Sequence, residues 1–302
     1  MRDVMKNSLL YKEIAYLIHR GLLKIDPRIE MSRCYHKLMG GWPNFRNPKS
    51  LIEKIYWLQL HSDTSKWSKC ADKYLVRDYL VEKGCGQYLN ELYGKWNSPS
   101  EIAFDRMPDR YILKMNNACG QMIIVDKGKG INENLVKERL QWWVDHPFGV
   151  SGGELHYLNI KPCIIAEKLL AIPEGETSLV DYKIWCFSGE PYCVFVTYGR
   201  TEKKFNFALF DLNWNPLIQY IRNTNHAIFI PDKKIARPDS FEEMLSLAKK
   251  LSKGFPEVRV DLYEVDKRPV FGEMTFSTGF GYFTDEFYRI LGDRVVLPVE
   301  KY

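Results

Sequence analysis

The residue types best placed to do chemistry fall in one stretch, residues 258–276, which reads VRVDLYEVDKRPVFGEMTF. Two extended runs flank the polar turn Asp266-Lys267-Arg268-Pro269. Alternate side chains of a strand share a face. Arg259, Asp261 and Tyr263 therefore point one way and Val258, Val260 and Leu262 the other, while Glu273 and Thr275 share a face of the second run. A hairpin closed over this turn can bring Asp261 and Glu273 together beside Arg259. Two carboxylates repel unless a cation lies between them. Hard oxygen ligands of this kind suit Mg²⁺, which binds through one or two carboxylates together with substrate phosphates. The competing reading is an ordinary solvated strand face.

Further charged residues stand in unusual places. A strand over 111–115 (YILKM) carries Lys114, the loop Asn116-Asn117-Ala118-Cys119-Gly120 follows, and a second strand returns over 122–126 (MIIVD). A strand, a small Gly-containing loop and a returning strand can wrap phosphates with backbone N–H groups; the same pattern also describes a plain hairpin turn. The loop G-x-x-x-x-G-K-[ST] is absent from the sequence. Residues 163–170 (CIIAEKLL) form an apolar strand interrupted by Glu167 and Lys168. An acid inside such a run is costly unless it is paired or faces a site. In the strand VDYKIWCF (180–187), Asp181 and Lys183 share a face.

These groups need a scaffold, and the pattern supplies one. Residues 4–24 carry Leu10, Ile14, Leu17 and Ile18 as a helical stripe that ends near Gly21, and Asp26-Pro27 then breaks it. A second helix is expected over 30–40, and a third after Pro48, with Ser50 and Glu53 in capping-box spacing. Another helix opens at 72–77 and ends at Lys83-Gly84. Residues 86–92 read as extended, 132–145 as a helix, and 146–162 as a loop-rich connection. Strands are expected over 192–198, 205–211 and 217–222, then a helix over 240–251 with Ser240 and Glu243 as its capping box.

The chain has 302 residues, a net charge of +5 and no basic tract, so an anionic small partner is permitted and nucleic acid is not expected. Seven cysteines without C-x-x-C spacing argue against a zinc ribbon or a disulfide framework and for a reducing, cytoplasmic setting. No signal peptide and no run long enough to span a membrane is evident.

In order, these features are Asp72-Lys73, Lys114 before its loop, Glu167, Asp181 with Lys183, Arg259-x-Asp261, and Glu273-x-Thr275 with Gly279. The sequence resembles the ATP-grasp superfamily, and more closely its TupA-like branch, named for teichuronopeptide biosynthesis. The segments NPKSLIEKIYWLQL, ADKYLVRDYLVEKGCGQYL, YILKMNNACG, VDYKIWCFSGEP and VRVDLYEVDKRPVFGEMTFSTGFG carry that likeness over roughly residues 47–285. The resemblance implies an α+β fold with two α+β subdomains that sandwich ATP: a helical segment 1–70, an N-terminal subdomain 71–162 and a C-terminal subdomain 163–302. It implies an enzyme that activates a carboxylate as an acyl phosphate, passes it to an amine and releases ADP. The expected product is an amide on a uronic-acid-containing cell-surface polysaccharide or its precursor. The expected partners are ATP, Mg²⁺ or Mn²⁺, a glycan carboxylate and an amino acid or amine, with membrane contact through a lipid-linked substrate.

By the same resemblance, Lys73 and Lys114 neutralise ATP phosphates and the loop with Asn116, Asn117 and Gly120 covers them. Glu167, Lys168 and Leu170 border adenine, and Asp181 takes the ribose, with Glu176 as competitor. Asp261, Glu273 and Thr275 hold the metal, while Arg259 and Lys183 serve the chemical step. Thr275 stands where many ATP-grasp enzymes carry Asn. The alternatives are a glycan or small-molecule kinase on this fold, and a glycan-binding protein with a degenerate nucleotide site.

Overall fold

The computed structural model describes residues 9–201 and 203–298. In chain order the helices are α1 (Leu9–Ile25), α2 (Pro27–Met39), α3 (Leu51–His61), α4 (Ser65–Ala71), α5 (Val76–Glu82), α6 (Glu133–Asp145), α7 (Leu155–Leu158), α8 (Phe241–Ser252) and α9 (Asp285–Asp293). The strands are β1 (Leu92–Trp96), β2 (Arg110–Met115), β3 (Met122–Asp126), β4 (Ile164–Lys168), β5 (Asp181–Phe187), β6 (Glu190–Tyr198), β7 (Phe205–Asp211), β8 (Ala227–Phe229), β9 (Glu257–Val265) and β10 (Arg268–Thr275). Residues 4–8 of the helix expected over 4–24 lie outside the described residues, and α1 does not end near Gly21 but runs through it to Ile25, since a lone glycine weakens a helix without breaking it.

The chain divides into two compact units, each assembled from separate segments. Unit 1 comprises Met1–Pro43, Gln59–Tyr74 and Leu92–Lys168; unit 2 comprises Asn44–Leu58, Leu75–Glu91 and Leu169–Tyr302. This differs from consecutive segments 1–70, 71–162 and 163–302. Strand β4 hydrogen-bonds between β1 and β2, and so belongs with the strands before it.

Unit 1 holds a four-stranded antiparallel sheet in the order β1-β4-β2-β3. Its core gathers Tyr111, Leu113 and Met115 of β2, Val125 of β3, Leu140 of α6, and Ile164 and Ala166 of β4. Helix α6 starts where the Asn132 side chain accepts from Leu135 N. Asp26 does not merely end α1: its carboxylate accepts from Arg28 N and caps α2, with Pro27 in the first turn.

Unit 2 holds a six-stranded sheet in the order β10-β9-β5-β6-β7-β8, antiparallel except for β7/β8. Val258, Val260 and Leu262 are fully buried, as the alternation of β9 requires, and α8 lies against β5, β6, β9 and β10. The capping box of α3 is made: Ser50 N donates to Glu53 Oε2 at 2.9 Å and Glu53 N to Ser50 Oγ at 3.3 Å. The one expected at α8 is not. Ser240 N and Oγ both donate to Glu264 Oε2, at 2.8 and 2.6 Å, so a carboxylate from β9 takes the place of Glu243. Gly292 of α9 lies against the backbone that leads into α3; a Cβ there would sit 2.0 Å from Lys49 O.

Two local expectations are corrected. Residues 217–222 form a 3₁₀ turn, Ile218–Tyr220, and not a strand; the Asp211 carboxylate accepts from Asn213 N and Asn215 N and turns the chain back, so β8 pairs with β7 instead. Residues 86–88 are likewise a 3₁₀ turn, and the strand begins only at Leu92. Short apolar runs carry too few periods to separate these outcomes.

Candidate functional site

The hairpin over 258–276 closes on two residues, Asp266 and Lys267, both left-handed at φ 51° and 61°. Such a turn matches the twist of paired strands and fixes the register, with Arg268 opposite Val265. Pro269 is tolerated because β10 is an edge strand. Continued without interruption, this register would oppose Asp261 to Gly272 and turn Glu273 to the other face. A bulge between Phe271 and Glu273 prevents that, and Glu273 stands opposite Asp261. Gly272 permits the bulge: a Cβ there would lie 2.9 Å from Asp261 O. The convergence of the two carboxylates thus depends on one glycine.

Around that pair lies a buried charge network in unit 2. Arg259 grips Asp261 as a fork, Nε to Oδ1 and Nη2 to Oδ2, each at 2.7 Å. Lys183, opposite Asp261 on β5, donates to Asp261 Oδ2 at 2.6 Å and also to Asp181 Oδ2. Arg259 Nη1 donates to Thr278 Oγ1 at 2.6 Å, and Nη2 to Thr275 Oγ1 at 3.2 Å. Thr275 in turn donates to Glu273 Oε1 at 3.3 Å. Burial works against the charge of Lys183, yet Asp181 and Asp261 outweigh it and hold its ammonium above the ordinary lysine range. Burial opposes the Arg259 charge too, and Asp261 more than offsets it. Burial, with Asp261 nearby, pushes Asp181 up.

Three residues of this face carry no role in the sequence reading. Thr278 anchors Arg259; its signal was the small polar run after the hairpin. Thr197 faces Asp181 across β5/β6, and the buried Thr197 Oγ1 and Asp181 Oδ1 both lack a hydrogen-bond partner. A single aliphatic hydroxyl in a strand of aromatic and branched residues was its signal. Glu257 is fully buried with neither carboxyl oxygen partnered, and burial pushes its acid well above the carboxylate range, so it is held neutral. Nothing in the sequence marks it.

Unit 1 carries the second cluster. Lys114 Nζ donates to Glu167 Oε2 at 2.8 Å, so the acid inside the apolar β4 is paired. The loop after β2 is fastened at both ends. Lys73 N donates to Asn116 O at 2.9 Å and Lys73 Nζ to Ala118 O at 2.6 Å, while Met122 N closes onto Gly120 O at 3.1 Å. Gly120, at φ +74°, gives the left-handed step that lets the chain return. The two asparagines are equally buried but differently engaged. Asn116 Nδ2 donates to Asp72 Oδ2 at 2.9 Å and Lys161 O at 3.1 Å, and its Oδ1 accepts from Cys163 N at 2.7 Å. Asn117 has neither amide atom hydrogen-bonded. Asn116 therefore holds the loop, whereas Asn117 keeps its hydrogen-bonding capacity unused. Cys119 is exposed on the same loop. Lys168 is exposed at the end of β4, and Leu170 is half-buried two residues beyond, in unit 2.

Asp261 and Glu273 share one face, with Thr275 beside Glu273, and are hard oxygen groups of the kind Mg²⁺ takes, one or two protein carboxylates sufficing; both Asp261 oxygens here accept from Arg259 and Lys183, and among the described residues no group of three or more His, Cys, Asp or Glu is gathered for a metal. Among the described residues no helix is long and apolar enough to cross a membrane.

No curated protein matches the sequence at a significant level. Solved structures that resemble it include D-alanine–D-alanine ligase from Bacillus anthracis complexed with ATP, at 14% identity and TM-score 0.40 over 72% of this chain and 57% of that one. The Helicobacter pylori D-alanine–D-alanine ligase is 17% identical, at TM-score 0.40 over 76% and 59%. The ATP-grasp ligase PsnB complexed with minimal precursor is 12% identical, at TM-score 0.40 over 81% and 68%. The chain spans less than three fifths of either D-alanine–D-alanine ligase, and likenesses this distant carry no residue role. The family profile described as TupA-like ATPgrasp, in contrast, matches residues 53–296, which take in both clusters and both sheets. The chain belongs to the TupA-like ATP-grasp family.

Proposed function

We propose that the chain is an ATP- and Mg²⁺-dependent carboxylate–amine ligase that forms an amide on a uronic-acid-containing cell-surface polysaccharide or its precursor. The observation that carries this reading is the Lys183–Asp261–Arg259 network with Glu273 opposite Asp261, within a TupA-like match that spans most of the chain. In the proposed reaction a substrate carboxylate oxygen attacks the γ-phosphorus of ATP, the bond to the β-phosphate oxygen breaks, and ADP leaves. The amine then attacks the acyl carbon, loses a proton and expels inorganic phosphate.

Lys73 and Lys114 supply positive charge for the phosphates, and the unengaged amide of Asn117 offers a donor. Asn116 acts by holding the loop. Glu167 keeps Lys114 extended, and the backbone of Lys168 and Leu170 reads the adenine edge. Asp181, with Thr197 beside it, accepts from ribose hydroxyls. Asp261, Glu273 and Thr275 hold Mg²⁺, which when bound screens the charge of the phosphates. Arg259 is already oriented by Asp261 and Thr278, so it meets charge developing on the transferred phosphoryl group without reorganising. Lys183 balances Asp181 and Asp261 while a cation arrives or leaves.

The test is ADP release with uronic-acid glycans in the presence and absence of amino acids. Ligation requires the amine and yields an amide; release that is amine-independent and leaves a stable phosphorylated glycan would establish the kinase instead. Glu273→Gln is expected to abolish release while an ATP analogue still binds, and Lys114→Ala to weaken ATP far more than adenosine. Wild-type turnover in Glu273→Gln would remove that residue from the mechanism.

A further inference from the structure

Helix α1 carries a second apolar face that the fold does not use. Its inner side is accounted for: Leu23 is buried, Tyr16 packs edge-on against His146, and Glu13 pairs with His146 at 2.7 Å. At about 100° per residue, Leu10, Ile14, Leu17, Ile18 and Ile25 fall together with Gly21 and Tyr11 in one arc of roughly 120° on the other side. Those five aliphatic side chains are between 49% and 76% exposed. An apolar stripe of this width ordinarily faces a core.

The charges around the stripe identify what meets it. Lys12, Arg20 and Lys24 are the exposed charged side chains of the described helix, and all are basic; by the same rotation Lys24 and Arg20 follow one edge of the stripe, while Lys12 lies on the opposite side. Its one acid, Glu13, is turned inward to His146. His19 is tied to Glu30 at 2.9 Å. Lys37 adds exposed positive charge on α2, which packs against α1, whereas Arg28 is paired with the Asp26 carboxylate; Trp42 follows α2, 69% exposed. A wide apolar face bordered on one edge by Lys24 and Arg20, on a helix whose exposed charges are all basic and with an exposed Trp nearby, has the composition of a helix that lies in a bilayer interface. Pairing with a second copy would set like charges against each other along the same flanks, which disfavours that occupant.

We propose that α1 docks the protein on an anionic membrane surface, with the Leu10–Ile14–Leu17–Ile18–Ile25 face buried at the headgroup boundary and Arg20 and Lys24 against lipid phosphates. This places the protein where lipid-linked acceptors reside, but the docking does not depend on the ligase reading, and its test makes no use of ATP or turnover. The full chain is sedimented with vesicles of phosphatidylcholine containing about one quarter phosphatidylglycerol, and with phosphatidylcholine alone. It is expected to pellet with the first and not the second, and less as salt is raised. Ile14→Glu/Ile18→Glu is expected to abolish pelleting at an unchanged melting temperature, since both positions are exposed. Each of Arg20→Gln and Lys24→Gln is expected to weaken it about fivefold. No pelleting with anionic vesicles, equal pelleting with neutral ones, or undiminished binding by Ile14→Glu/Ile18→Glu would overturn the proposal. So would a concentration-dependent dimer abolished by that variant, which would assign the face to a second copy.

Discussion

The adjacent pair Asn116 and Asn117 gives the sharpest separation of holding from binding. Both side chains are fully buried, so Asn→Ala removes similar volume at each. Asn116→Ala deletes three hydrogen bonds: one to the buried Asp72 carboxylate, one to Lys161 O and one from Cys163 N. A charge-assisted bond contributes about 1.5–3 kcal/mol and a neutral one about 1 kcal/mol, so the expected loss of stability is about 3–5 kcal/mol. Asn117→Ala deletes no hydrogen bond, and it relieves two buried polar atoms of their desolvation; its stability is expected within about 1 kcal/mol of wild type. If the Asn117 amide meets a phosphate oxygen, its loss weakens nucleotide by about 1.5–3 kcal/mol, roughly ten- to hundredfold in Kd. Urea unfolding and calorimetric titration with a non-hydrolysable ATP analogue measure the two quantities on the same proteins. Asn117→Ala as destabilised as Asn116→Ala, with unchanged affinity for the analogue, would refute the reasoning.

Three more perturbations follow from the geometry. Gly272→Ala brings a Cβ against Asp261 O and is expected to destabilise by about 1–3 kcal/mol, and to lower kcat more than nucleotide affinity because Glu273 is displaced; a wild-type kcat would show that the bulge is not needed. Glu257 is protonated when folded and ionised when unfolded above about pH 4.5, so its folded form binds the extra proton and stability falls as pH rises, by up to about 1.4 kcal/mol per unit. Glu257→Gln is expected to raise the melting temperature at pH 8 and flatten that slope, and an unchanged profile would count against a buried neutral acid. His156, held down to about 3 by burial, acts in the opposite sense: below about pH 6.5 the unfolded chain takes the proton, so stability falls with acid down to about pH 3, as urea unfolding between pH 7 and 4 will reveal.

The parts of the site that alternation governs were legible in the sequence. The apolar face of Val258, Val260 and Leu262, the opposite face of Arg259 and Asp261, and the pairing demanded by Glu167 all follow from period two and from the cost of a buried acid. The approach of Glu273 to Asp261 was expected from strand faces alone, but the two-residue turn would have opposed it without the bulge at Gly272. Bulges answer to backbone packing that no local pattern encodes. Capping behaved similarly: Ser50 finds Glu53 three residues on, whereas Ser240 finds Glu264, a choice settled by a strand distant in sequence. The unlike engagement of Asn116 and Asn117 was invisible, because only the loop path decides which amide meets Asp72.

The segmented make-up of the two units bears on how a ribosome-bound chain must fold. The chain passes between units after residues 43, 58, 74, 91 and 168. Once residue 168 has emerged, every strand of the four-stranded sheet is available, and unit 1 can close. Residues 44–58 and 75–91 have been synthesised by then, but the six-stranded sheet and α9, which share their unit, have not. At about 5–20 residues per second, translation of residues 169–302 leaves Leu51, Ile52, Ile55 and Leu58 without their final partners for roughly 7–27 seconds. Contacts such as that of Gly292 with the backbone at Lys49 close a loop over most of the chain, so unit 2 is the slower to form. A nascent chain stalled between residues 168 and 257 would therefore offer a closed sheet to a protease and an apolar helix to a chaperone.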